Sequence, residues 1–236
     1  IRALKMHGGV KKDDLKKENV EALKKGLPNL EKHIQNIKKF GLEVVVGVNH
    51  FITDTEKEIK IIEDYCNKMK VKFSVCTHWS HGSEGAKNLA NNVVEICNKN
   101  NKNNFKHLYT NETPILKKIE AIAKELYGAN AIECDDKIRK QIDEIEKAGF
   151  IKFPVCIAKT QYSFSTDPKL KGAPSGHTLT VREVRLSTGA KFIVVICGSI
   201  MTMPGLPKTP AADNIKLNKR FDMPNIMIVY FKYNYI

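Results

Sequence analysis

Two aromatic residues, Phe51 and Trp79, stand where a flat ligand can be held. Each follows a short apolar, β-branched stretch, "LEVVVGVN" at 42–49 and "VKFSVCT" at 71–77. As neighbouring parallel strands, these stretches would place both rings beyond their carboxyl ends, where open α/β sheets bind ligands. Two rings facing each other there can clamp a heterocycle by stacking. The plainer alternative is that Trp79, the only Trp, packs under its own loop. The turn Gly82-Ser-Glu-Gly85 lets backbone approach a ligand and opens a helix N-terminus, which favours anionic groups. Lys159 begins a polar run, Lys159 to Ser163, after another strand end, and this run either faces a ligand or is a polar loop. Met201 to Pro207, with Pro204 and Gly205 at its middle, is a rigid loop that lines a pocket or turns the chain. His78 and His81 have only Glu84 near them, so no metal site is expected. No phosphate-binding P-loop pattern and no Gly-x-Ser-x-Gly element occurs in these residues.

The elements that must position these residues alternate. A helix is expected over Asp13–Leu27, and a second starting at Pro28 and stopped by Gly41. The apolar stretch at 42–49 reads as a central parallel strand, since both its faces are apolar. Thr53-Asp-Thr-Glu56 has the capping-box pattern that opens the next helix. After the strand at 71–77, a helix carries Leu89, Val93 and Ile96. Helix, strand, helix, strand, helix implies right-handed crossovers and a parallel sheet. Pro114 then begins a helix ended by Gly128, and another covers about Asp135 to Ala148. Strands follow at 155–159, 177–187 and 192–200. A boundary falls near residue 100 and a strand-rich module begins near 153.

Length and composition narrow the field. At 236 residues, 42% hydrophobic and 28% charged, the chain can fill a core and is neither disordered nor collagenous. No apolar run approaches the roughly 18–20 residues a membrane span needs, and no membrane partner is expected. The start, "IRALKMHGGV", has neither an initiator Met nor a signal peptide's apolar stretch, so the chain reads as a piece of something longer. The net charge of +13 suggests a basic nucleic-acid-binding module without enzyme activity as the alternative reading. Against it, only five of the 39 basic residues are Arg, whose planar fork suits bases and phosphates. The 19 Asn residues, dense at 98–104, point with the lysines to codon bias. The six cysteines include no Cys-x-x-Cys and read as small hydrophobes of a reduced compartment. That favours the cytoplasm and leaves a mitochondrial location open.

Several segments resemble formate–tetrahydrofolate ligase. They are "IRALKMHGG" (1–9), "NLEKHIQNIKKFG" (29–41), "VVVGVNHFITDT" (44–55), "CTHWSHGSEGA" (76–86), "IAKELYGA" (122–129), "PVCIAKTQYSFS" (154–165), "TVREVRLSTGA" (180–190) and "GSIMTMPGLPKTPAADNI" (198–215). They run in the family's order and cover about residues 1–217; past Lys219 the sequence leaves the pattern. The Cys76-Thr-His-Trp79 form resembles the eukaryotic branch more than the bacterial one.

The resemblance implies an enzyme that joins formate to tetrahydrofolate using ATP with Mg²⁺, through formyl phosphate, and that admits a monovalent cation. It implies a homo-oligomer, dimer or tetramer, and leaves open whether the parent is monofunctional or trifunctional. The fold implied is α/β. Residues 1–100 would close a P-loop-type parallel-sheet nucleotide domain whose P-loop portion is missing here. A helical segment, 101–152, and a strand-rich domain, 153–236, would form a smaller α+β C-terminal region. The chain alone is expected to be inactive, with the main catalytic residues elsewhere. The family's pterin-clamping Phe and Trp match Phe51 and Trp79. Gly82, Gly85 and Lys159 are expected on the substrate with them, and Pro204 and Gly205 on the cofactor. Two departures stand out: Ile52 replaces a usual Pro beside Phe51, and Ser83 replaces a usual Gly.

Overall fold

The structure, a computed structural model, describes residues 1–99, 104–200, 209, 210 and 213. Pro204, Gly205 and the ending after Lys219 therefore lie outside the described residues. The chain divides into units Ile1–Ser199 and Ile200–Ile236; the first carries every element below.

A short helix α1 (Arg2–His7) packs on the long helix α2 (Val20–Lys39). The two backbones touch through glycines. A Cβ on Gly8 would stand 1.8 Å from the Ala22 carbonyl oxygen, and one on Gly26 would stand 1.9 Å from that of Leu4. Two departures from expectation fall in this region. The expected helix over Asp13–Leu27 starts only at Val20, because the Asn19 side chain caps it by accepting the Ala22 N–H at 2.9 Å; residues Lys12–Asp14 form a 3-10 turn. Nor does the helix restart at Pro28, which lies inside α2. Gly26 allows the approach of α1, and buried Leu23, Leu27 and Ile34 hold the helix together on both sides of the proline. Their burial offsets the roughly 3 kcal/mol that an interior proline costs a helix.

Strand β1 (Val45–Asn49), helix α3 (Glu56–Lys68) and strand β2 (Lys72–Cys76) follow, and β1 pairs with β2 in parallel. Val46 and Val48 pack toward α1, α2 and α3 with Leu4, Leu23, Leu27, Ile62 and Cys66. On the opposite face, Gly47 lies under Leu89 of α5 (Lys87–Lys99). Helices thus cover both faces, as an apolar parallel strand requires. β1 was expected to be central; among the described residues it pairs only with β2.

The second sheet is mixed. Helix α6 (Ile115–Glu125), strand β3 (Ala131–Glu133), helix α7 (Asp136–Lys147) and strands β4 (Val155–Ala158), β5 (Thr178–Ser187) and β6 (Phe192–Cys197) give the order β3-β5-β6-β4. β5 and β6 are antiparallel and the other pairs parallel. β3 escaped the sequence reading because three residues carry no periodicity. Ile115, Ile119, Ile138, Ile142, Leu179, Val184, Ile193 and Val195 form one core, so the helices of 101–152 and the strands after 153 bury their apolar faces against each other. The fold is α/β with parallel pairing in both sheets. Among the described residues no helix is long and apolar enough to cross a membrane.

Candidate functional site

β1 and β2 run in register from Val45 opposite Lys72 to Asn49 opposite Cys76. The two chains therefore leave the sheet side by side, one into His50-Phe51 and the other into α4 (His78–His81) with Trp79. The His50 N–H donates to the Cys76 carbonyl at 3.0 Å and carries the pairing one residue further. The Trp79 indole N–H then donates to the His50 carbonyl at 2.6 Å. This bond fixes the indole to the backbone immediately before Phe51, leaving Trp79 37% exposed. The structure thus brings Phe51 and Trp79 to one edge of one sheet.

The turn that carries Trp79 needs its glycines. The Thr77 N–H closes it by donating to the Gly85 carbonyl at 3.0 Å. A Cβ on Gly85 would stand 2.5 Å from the His78 nitrogen and from the Thr77 carbonyl carbon, so any other residue pries the turn open. Gly82 has φ +55° and ψ −140°, a conformation costly for residues with a Cβ. A 3-10 turn, Gly82–Ala86, leads from there into α5.

Phe51 is held by a residue the sequence reading passed over. The Asp54 carboxylate accepts the Phe51 N–H at 2.9 Å, and the Asp54 N–H donates to the Phe51 carbonyl at 2.9 Å. Asp54 is 8% exposed, while Ile52, where a proline was expected, is 80% exposed. A side chain pointing to water adds no packing to the loop, and the Asp54 bonds restrain it instead. This use of Asp54 also moves the helix start. The capping box is not Thr53 to Glu56 but Thr55 to Glu58: the Thr55 hydroxyl accepts the Glu58 N–H, and the Glu58 carboxylate accepts the Thr55 N–H, both at 3.3 Å.

Glu58 does more than cap α3. It is fully buried, lies 3.0 Å from the equally buried Lys5 ammonium of α1, and accepts the Asn19 N–H at 2.9 Å. One turn before Lys5, the Arg2 guanidinium lies over the Phe51 ring, 3.7 Å from its centroid. The signals that could have revealed these residues were faint: Arg2 and Lys5 share one helix face, and Glu58 stands three residues after a Thr.

Lys159 sits elsewhere, at the end of β4 in the other sheet. Its ammonium donates to the Thr160 carbonyl at 3.1 Å and to the Ser163 carbonyl, and lies 4.8 Å over the Tyr127 ring. Burial pulls its pKa down to about 8, with the nearby Cys197 opposing. Burial likewise pushes the Cys197 thiol and the Tyr127 hydroxyl up to about 12. Among the described residues no three His, Cys, Asp or Glu side chains converge to hold a metal.

The sequence of this chain matches known proteins along most of its length. The family model described as formate–tetrahydrofolate ligase matches residues 1–226, slightly past the segments quoted above. A formate–tetrahydrofolate ligase of Pelagibacter ubique is 64% identical over 219 residues, which are 93% of this chain and 39% of the relative. Proteins of the same name from Granulibacter bethesdensis and Sinorhizobium medicae are 55% and 53% identical, over 92% and 93% of this chain and 38% of their own lengths. All three are bacterial, the branch that the Cys76–Trp79 form had not favoured. The chain thus spans less than two-fifths of the relatives it matches.

Proposed function

The chain belongs to the formate–tetrahydrofolate ligase family, and on that premise we propose that it supplies the folate clamp of an enzyme joining formate to tetrahydrofolate with ATP. In this reaction formate attacks the terminal phosphate of ATP, giving formyl phosphate and ADP. The folate amine then attacks the formyl carbon, the carbon–oxygen bond to phosphate breaks, and the amine gives up a proton as phosphate leaves. Phe51 and Trp79 would hold the pterin between their rings and aim the amine at the formyl carbon, which is catalysis by positioning. Gly82 and Gly85 would shape the loop against the substrate.

These 236 residues hold no P-loop pattern, so we assign the phosphoryl step to protein beyond them and expect the chain alone to be inactive. The two-stranded parallel sheet covered by helices fits the closing part of a nucleotide domain, with 101–152 and 153–236 as the smaller C-terminal region. Lys159, Pro204 and Gly205 are assigned to ligand contact on their places in the sequence and on the family resemblance. We assign Mg²⁺ and the monovalent cation no residue of this chain. The intact enzyme is taken to be a cytoplasmic homo-oligomer, with the lysine surface serving solubility rather than a nucleic-acid partner.

The observation that carries this reading is the hydrogen bond from the Trp79 indole to the His50 carbonyl, which ties the two ring-bearing loops together at the strand ends. Because Trp79 is the only Trp, its fluorescence reports on the clamp alone. Titration with tetrahydrofolate should quench it saturably, and Phe51→Ala should weaken binding about tenfold, roughly 1.4 kcal/mol, by removing one stacking face. Absence of quenching, or unchanged affinity in Phe51→Ala, would remove the clamp from the account.

A further inference from the structure

We propose that Arg2 is a positioning residue for the clamp, its guanidinium backing one face of Phe51 so that the ring offers its other face to the pterin. The proposal rests on the reading of Phe51 and Trp79 as a folate clamp, and deepens it.

The geometry starts from α1. Its backbone is pressed onto α2 at Gly8 and Gly26, where no Cβ fits. Its Lys5 forms the fully buried ion pair with Glu58 and also donates to the Lys17 carbonyl at 3.0 Å. Since Glu58 completes the cap of α3, α1 is bound to the end of α3 that the Phe51 loop enters. Arg2, one turn before Lys5, is carried on this anchored helix and has little freedom to leave Phe51.

One Arg2 donor goes without a hydrogen bond there. Its Nε is buried and has no hydrogen-bond partner among the described residues. A buried donor without a partner is unfavourable, and such an arrangement persists when another contact compensates. The flat guanidinium over the flat ring, at 3.7 Å, is that contact: Arg stacks on aromatic faces and is weakly hydrated, and the ring quadrupole attracts the charge. Asp54 holds the Phe51 backbone while Arg2 holds its ring. With Ile52 exposed, no proline stiffens the loop beside Phe51. A ring ordered before the ligand arrives spares the ligand the cost of ordering it.

A double-mutant cycle in the 236-residue chain tests this, with tetrahydrofolate affinity read from Trp79 fluorescence. Arg2→Gln should weaken binding about three- to tenfold in the otherwise unaltered chain, and have almost no further effect once Phe51→Leu is present. A purely structural role for Arg2 would give the same penalty in both backgrounds and overturns the proposal. Weak binding in Phe51→Ala with full binding in Arg2→Gln also overturns it, while leaving the clamp in place. Failure of the clamp itself would show differently, as no binding by the unaltered chain or no effect of Phe51→Ala.

A second measurement needs no ligand and separates the two ideas. In chain with labelled phenylalanine, NMR should show the Phe51 ring more mobile in Arg2→Gln than in the unaltered protein. An equally ordered ring in both overturns the proposal. Should Arg2→Gln fold poorly, Arg2→Met keeps the aliphatic stem against the loop and answers the same question.

Discussion

The two sheets of this molecule are held together in different ways. The four-stranded sheet has an ordinary apolar core, in which Ile119, Ile142, Leu179, Ile193 and Val195 are almost wholly buried between helices and strands. Around the two-stranded sheet the apolar core is smaller, and α5 buries none of its residues fully. There the fixed points are polar or backbone contacts: the Lys5–Glu58 pair, the Asp54 bonds to Phe51, the Trp79 bond to His50, and α1 lying on α2 through two glycines. Apolar packing sets overall stability but tolerates small shifts of volume-conserving side chains. Directional contacts set positions, and the candidate clamp lies in the region that depends on them.

The largest effect should come from breaking the ion pair. Glu58→Leu leaves the Lys5 charge buried without its partner and should cost about 3–5 kcal/mol in urea unfolding. It should also blunt tetrahydrofolate quenching of Trp79, because the cap of α3 goes with it. Next, Ile119→Ala in the other core should cost roughly 3 kcal/mol yet leave the affinity of the folded protein unchanged. An affinity loss in Ile119→Ala equal to that in Glu58→Leu would erase the contrast between the two regions.

Smaller effects sharpen it. Trp79→Phe keeps an aromatic ring but loses the bond to the His50 carbonyl, and should cost about 1 kcal/mol of stability. The Lys159 amine, whose pKa burial lowers to about 8, is held charged in the folded state at some cost. Between pH 8 and the unfolded value near 10.5 the unfolded chain binds more protons. The unaltered protein should therefore gain stability relative to Lys159→Met as pH rises through that window, by about 1 kcal/mol after solvent screening of this partly exposed amine. Calorimetry of the two proteins from pH 7 to 10 measures it. The smallest effect concerns His7, whose pKa burial lowers, with Lys171 and His33 adding to the shift. Its Nδ1 accepts the Gly172 N–H at 3.1 Å. Below about pH 6.5 the unfolded state takes up the proton first, so stability should fall on acidification. His7→Gln should make stability less sensitive to acidification, which pH-dependent melting of the two proteins measures.

The same contrast decides what the sequence could reveal. Short apolar runs located β1, β2 and the later strands, and apolar residues at helical spacing located α3, α5, α6 and α7. The edge bearing Phe51 and Trp79 was legible for the same reason: strand ends can be read, and rings just past them stand out. What escaped depended on particular contacts that carry no periodic signal, some between distant residues and some within a single loop. Pro28 looked like a helix start because nothing local shows that Gly26 meets Leu4. Thr53 to Glu56 matched a capping box, yet Asp54 is taken up by Phe51 and the cap falls at Thr55. Arg2, at the head of α1, gave no sign that it would cross to the Phe51 ring. The family resemblance assigned the aromatic pair; the residues that hold the pair in place came only from the fold.

A crystal structure of this chain with tetrahydrofolate bears most directly on the folate clamp. We expect the pterin between Phe51 and Trp79, with ring centroids about 4.5–7 Å apart on each side, Arg2 on the far face of Phe51, and the Trp79 bond to His50 intact. A pterin bound away from these two rings, or stacked on only one of them, would contradict the clamp.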